Sequence, residues 1–157
     1  MRLEYFQLLD RIVELDIANR TIRTESTVPS ESTIFEGHFP GYPLMPGVLL
    51  LENMAQTSGW LIIGLTKFDR MPFLAAFKEA KLRTFITPGT TVSSSATVEH
   101  DGSGYAMTKA EIRVDGKLAC NAELTFRVVD FPAPELKTYM LKEAERLQFP
   151  FEAVKNG

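Results

Sequence analysis

The chain has 157 residues, 45% hydrophobic and 24% charged, with 17 Lys plus Arg against 20 Asp plus Glu. That length suits one domain able to bury a core without metal or disulfide staples. The single cysteine, Cys120, excludes an internal disulfide and a multi-cysteine zinc site, and a net charge of −3 lacks the basic excess of a nucleic-acid binder. The opening MRLEYFQLLDR sets Glu4 and Asp10 where a secretory leader would be apolar, so the expected setting is the cytoplasm.

In chain order, Arg11 to Val28 is rich in Ile, Val and Thr and breaks near Ala18-Asn19, which predicts one or two strands. A loop crowded with backbone-restricting residues follows, Gly37-His38-Phe39-Pro40-Gly41-Tyr42-Pro43-Leu44-Met45-Pro46-Gly47. It feeds the longest apolar stretch, Val48 to Gly64. Glu52, Asn53, Gln56, Thr57 and Ser58 interrupt that stretch, which also falls short of the about 20 residues of a spanning helix. No membrane span is expected. Val48, Leu49, Leu50, Leu51, Met54, Ala55, Trp60, Leu61, Ile62 and Ile63 encircle the predicted helix, and a helix apolar nearly all round is a buried one. Pro46 suits its first turn.

Phe73 to Ile86 then reads as a strand ended by Pro88-Gly89. From Thr91 the apolar residues alternate: Val92, Ala96 and Val98, then Ala106, Ala110, Ile112 and Val114, then Leu118 through Val128. Turn signals at Asp101-Gly102 and Asp115-Gly116 divide this run into three antiparallel strands with one covered face. After Pro132 and Pro134, Glu135 to Gln148 predicts a helix carrying Leu136, Met140, Leu141, Ala144 and Leu147 on one side. Strands, one central helix and more strands make the class α+β, an antiparallel sheet against a buried helix with a helical tail.

The chemistry concentrates where the Gly/Pro loop meets the helix. Unpaired N–H groups at a helix start favour developing negative charge, and Gly47 is the natural backbone donor there. One turn further sits Glu52, with Gln56 four residues on along the same face. A carboxylate in an otherwise apolar helix is costly to bury charged, so burial would favour its protonated form. Such an acid and a neutral His38 imidazole form a competent acid–base pair.

Phe35-Glu36-Gly37-His38-Phe39-Pro40, Met45-Pro46-Gly47-Val48 and Glu52-Asn53-Met54-Ala55-Gln56 together resemble the signature of the 3-hydroxyacyl-[acyl carrier protein] dehydratases. Phe73 through Arg83 is similar to that family's strand after the helix, and Leu8-Leu9-Asp10-Arg11-Ile12 fits its opening. The resemblance implies a hotdog fold over about residues 1–130, with residues 131–157 as a helical extension. It implies dehydration of a 3-hydroxyacyl group on an acyl carrier protein to the trans-2-enoyl product, without cofactor or metal. His38 matches the family's catalytic histidine, Glu52 its carboxylate, Gly47 the glycine whose N–H polarises the thioester carbonyl, and Gln56 a glutamine that holds the carboxylate. His38 is assigned as the base at C2 and Glu52 as the acid on the C3 hydroxyl; the alternative gives both steps to His38. A homodimer pairing the histidine of one subunit with the carboxylate of the other is implied, and trimers of such dimers are common among relatives.

Glu at position 52, rather than Asp, points to the plain dehydratase branch. Tyr42, Met54, Trp60 and Phe73 are candidates for the substrate tunnel, with core packing as the competing role. Lys78, Lys81 and Arg83 are candidates to meet an acidic carrier protein, with a solvated basic strand as the default. Two other readings stay open: a hotdog thioesterase, and a specialised paralogue serving a dedicated carrier protein or unusual acyl chains.

Overall fold

The computed structural model describes residues 1–156. Its strands are β1 (Arg11–Asp16), β2 (Thr21–Thr27), β3 (Arg70–Leu82), β4 (Thr91–Gly102), β5 (Tyr105–Val114) and β6 (Lys117–Asp130). All pair antiparallel in one sheet of order β1-β2-β4-β5-β6-β3, which leaves β1 and β3 as the edges. Alternation explains the pairing. Val92, Ser94, Ala96 and Val98 of β4 and Ala106, Thr108, Ala110 and Ile112 of β5 are buried on one face, while their neighbours turn outward.

Against that face lies helix α2 (Gly47–Leu65), which packs on β2, β3, β4, β5 and β6. This is the hotdog arrangement. Leu49, Leu50, Met54, Leu61, Ile62 and Ile63 enter the core, each stabilising the fold by about 1.5–3 kcal/mol when fully buried. Three of the polar residues that interrupt the helix, Asn53, Thr57 and Ser58, are buried and hydrogen-bonded. Asn53 Nδ2 donates to the Leu8 carbonyl (2.9 Å) and its Oδ1 accepts from Ser94 Oγ (2.6 Å). Thr57 bonds Thr24 across 2.9 Å, and Thr108 Oγ1 donates to Ser58 Oγ at 2.8 Å. Exposed Val48 and half-buried Leu51, Glu52 and Gln56 mark the face of α2 that the sheet leaves uncovered.

Several boundaries differ from the sequence reading. The strand expected over 73–86 runs Arg70–Leu82, because Arg70 pairs with Asp130 and the chain leaves β6 after Leu82 opposite Cys120. The turn expected at Asp101-Gly102 is made by Ser103-Gly104, both at positive φ (54° and 80°), as a two-residue hairpin turn between twisted strands requires. Asp115-Gly116 turns as expected, at 49° and 78°. Pro46 caps α2 instead of entering its first turn.

A short helix, α1 (Thr33–Gly37), precedes the Gly/Pro loop and has no counterpart in the sequence reading. The tail folds as α3 (Pro134–Arg146) and α4 (Phe151–Lys155). Leu136, Met140, Ala144 and Leu147 face the rest of the chain, but Leu141 lies one helical step off that stripe and is exposed. The tail is pinned at several points. The Ile12 N–H donates to the Leu147 carbonyl (2.8 Å), Arg146 Nη1 donates to the Leu9 carbonyl (3.0 Å), and Phe149 joins Trp60 and Phe68 with ring centroids 6.0 and 5.0 Å away.

Candidate active site

The Gly/Pro loop holds its shape through its own backbone. Tyr42 N–H donates to the Phe39 carbonyl (2.9 Å) around Pro40-Gly41, with Gly41 at φ 73°, the turn that places Pro second and Gly third. Leu44 N–H donates to the His38 carbonyl (3.0 Å) and Met45 N–H to the Ile86 carbonyl (2.8 Å), which fastens the loop to the segment after β3. The His38–Phe39 peptide is cis, and the Phe39 ring stacks on the imidazole at 4.0 Å.

His38 Nδ1 lies 3.0 Å from the Leu44 carbonyl oxygen. A carbonyl can only accept, so Nδ1 carries the proton and, in the neutral ring, Nε2 carries the free lone pair. His38 lines a cavity of about 640 Å³ together with Phe39, Met45, Gly47, Leu82, Arg83 and Phe85. Gly47 is the first residue of α2, so its N–H has no partner within the helix. A Cβ at position 47 would run into Leu82 Cδ1, so a side chain there would crowd the cavity wall.

Glu52 lines a different cavity, of about 240 Å³, with Gln56, Trp60, Met71, Phe73 and Met140 among its walls. Its carboxylate is half-buried rather than buried, because this stretch of α2 faces away from the sheet. Gln56 Nε2 donates to Glu52 Oε1 (3.0 Å) and to the Phe6 carbonyl (2.8 Å), while Gln56 Oε1 accepts from Leu8 N–H at 3.3 Å. The N-terminal segment thus orients the carboxylate through one amide.

Glu4 performs a parallel task for the short helix α1. Its Oε1 accepts from Ser32 Oγ (2.6 Å), Thr33 N–H (2.9 Å) and Thr33 Oγ1 (3.1 Å) at the start of α1. These bonds, that from Ser32 foremost, hold the Glu4 carboxyl down to about 2 from its ordinary 4.5. Burial pushes the Cys120 thiol up to about 12, so it stays a protonated core residue.

Within one chain, then, His38 and Gly47 share one cavity, and Glu52, Gln56, Trp60 and Phe73 share another. Tyr42 is 62% exposed on the loop turn and lines neither, and Met54 is fully buried in the core and lines neither. Residues that the sequence reading did not assign to the site also shape it. The Leu44 carbonyl left no signal, since a backbone acceptor depends on loop geometry alone. Met140 could have been found: it sits on the inner stripe of the tail helix. Among the described residues, no group of three or more His, Cys, Asp or Glu side chains could hold a metal ion.

A sheet around one helix, with an imidazole beside a glycine helix start and a carboxylate further along the same helix, defines a protein of the hotdog class. Comparison places it more narrowly. A family profile described as a FabA-like domain matches residues 2–123. The 3-hydroxyacyl-[acyl-carrier-protein] dehydratase FabZ of Lactobacillus helveticus is 37% identical over 123 residues, covering 78% of this chain and 82% of the relative. The enzyme of the same name from Chlamydia pneumoniae is 38% identical over 128 residues, covering 80% and 84%. The solved structure of the conserved protein PA5202 from Pseudomonas aeruginosa superimposes with a TM-score of 0.62 at 23% identity, covering 80% of this chain and 93% of that one, a likeness of fold. The chain belongs to the FabA-like family.

Proposed function

We propose that this protein removes water from a 3-hydroxyacyl group carried on an acyl carrier protein, yielding the trans-2-enoyl thioester in fatty-acid or lipid synthesis. The observation that carries the reading is the fixed tautomer of His38, which leaves Nε2 unprotonated in a residue lining the same cavity as the start of α2. Family membership and the named activity of the relatives at 37–38% identity support it.

In this mechanism His38 Nε2 takes a proton from C2, and the electron pair moves toward the thioester carbonyl. The Gly47 N–H and the helix dipole stabilise the oxyanion that forms. As the enolate collapses into the C2–C3 double bond, the C–O bond at C3 breaks and Glu52 gives its proton to the departing hydroxyl, which leaves as water. Each positioned acid or base contributes typically about 10²–10⁴-fold.

A homodimer makes the two cavities one site. β3 is an edge strand, so its outer N–H and C=O groups face away from the sheet, and Phe77 and Leu82 are more than half exposed along it. A two-fold axis through an antiparallel β3–β3 pair near Lys78 sets Leu74 opposite Leu82 of the partner subunit. Leu74 lines the Glu52 cavity and Leu82 the His38 cavity. Glu52 of one protomer would then serve the partner subunit's His38. Arg83, on the wall of the His38 cavity and hydrogen-bonded to Asn121, offers positive charge to an acidic carrier in this reading.

The test is turnover of carrier-bound 3-hydroxyacyl substrates, following enoyl formation by mass. Wild type should make the enoyl thioester, and His38→Ala and Glu52→Gln should each abolish it while keeping the fold. Release of free acid and thiol instead would make the protein a thioesterase.

A further inference from the structure

We propose that Met140 is a specificity-determining residue, and that the C-terminal helix forms one wall of the acyl cavity and thereby limits the chain the enzyme accepts. This rests on the proposed dehydratase function. The family match ends at residue 123, whereas α3 begins at Pro134, so this wall lies outside the segment shared with the family.

The cavity that holds Glu52 extends along α2 as far as Ile63, about 16 Å at about 1.5 Å per residue. Its lining is a carboxylate and an amide at one stretch, then aromatic and aliphatic side chains. That pattern fits a ligand with one polar reacting centre and an apolar remainder, as an acyl thioester has. Met140, half-buried on α3, is the one side chain from the tail among those walls.

A second observation ties the tail to the same cavity. Trp60 lines the cavity and also packs against Phe149, whose ring contacts Phe68 and Phe151 (5.0 and 5.1 Å). The tail therefore bears on the cavity directly through Met140 and indirectly through Phe149, which packs on Trp60. The bonds from Ile12 to Leu147 and from Arg146 to Leu9 hold α3 in that position. A flexible thioether suits a wall that must fit a chain of variable shape. Replacing it changes the room available to the acyl group without touching Glu52 or His38.

The experiment compares wild type, Met140→Ala and Met140→Phe on carrier-bound 3-hydroxyacyl substrates from butyryl to palmitoyl length. The readout is the ratio of kcat/KM for long over short chains, which does not depend on how much of a variant is folded. Met140→Phe should lower the ratio about tenfold and Met140→Ala should raise it, as differences of a few methylenes in an apolar pocket do. Superimposable length profiles for all three proteins would overturn the inference. Trp60 is the only tryptophan, so its fluorescence also reports binding of saturated acyl-pantetheines of graded length. If wild type dehydrates nothing but the length dependence of binding still shifts in the Met140 variants, the proposed function fails and the wall remains. If binding does not shift either, the wall fails too.

Discussion

Gln56 Nε2 stands 3.0 Å from Glu52 Oε1 and 2.8 Å from the Phe6 carbonyl, so one amide ties the proposed acid to the N-terminal segment. The Leu8 N–H closes the arrangement from the other side of the amide. Glu52 is thus held by a residue one helical turn away and by a chain segment far away in sequence.

Gln56→Ala removes that tether and strands the Phe6 carbonyl and the Leu8 N–H. The carboxylate gains rotamers, and misplacement of a catalytic group by about 1 Å costs about a hundredfold. A fall in kcat of about ten- to a hundredfold is expected, with KM changing less. Steady-state kinetics of the purified variant on one hydroxyacyl substrate decide it; a change confined to KM would make Gln56 a binding residue instead.

Mixing inactive variants tests whether two subunits share a site. His38→Ala and Glu52→Gln each leave no complete pair in a homodimer. A mixed dimer of the two regains one intact pair, and random exchange at equal amounts yields about a quarter of the wild-type sites. Activity should rise toward that level after denaturation and refolding of the mixture. Failure to recover, with mixed dimers present by native mass spectrometry, would place acid and base in one chain.

Glu4 supplies a pH dependence whose sign follows from its hydrogen bonds. Its carboxyl is lowered to about 2 in the fold against an ordinary 4.5. A group depressed on folding stabilises above its unfolded value and loses that contribution as pH falls through the folded one. Wild type should therefore exceed Glu4→Gln in stability at neutral pH, with the gap closing between about pH 4.5 and about pH 2. Urea unfolding of both proteins across that range measures it; a gap that stays constant would show that the bonds to Ser32 and Thr33 do not carry it.

Asn53 is fully buried, with Leu8 and Ser94 as its partners. Asn53→Leu leaves the Leu8 carbonyl and the Ser94 hydroxyl without those bonds, at a cost of about 1–3 kcal/mol for each group stranded. Changing Asn53 to Leu and Ser94 to Ala together should cost less than the sum of the two single changes, because the second change removes a stranded group. Chemical denaturation of the three variants gives the comparison. Strict additivity would show that the two residues act independently.

The elements with a regular period were legible from residues alone: the apolar ring of α2, the alternation of β4 to β6 and the inner stripe of α3. Each follows from local geometry that repeats every 3.6 or every two residues. The short α1 was not, since five residues hold too little of a helical period and its cap is completed by Glu4 from a distant segment. The turn expected at Asp101-Gly102 gave way to Ser103-Gly104 for a similar reason: strand pairing, which extends β4 to Gly102, chooses between adjacent turn signals.

The candidate residues show the same division. His38, Gly47, Glu52 and Gln56 stand out in sequence because chemistry and a restricted loop demand those residue types. That Gln56 bonds Glu52 was also legible, because positions four apart share a helix face. What only the tertiary structure decided is non-local. It fixed the His38 tautomer through the Leu44 carbonyl, set His38 and Glu52 in separate cavities, and brought Met140 of the tail into the wall of the Glu52 cavity. A slightly acidic composition with a single cysteine narrowed the possibilities by exclusion, but a backbone carbonyl or a wall from the far end of the chain enters a site only through packing.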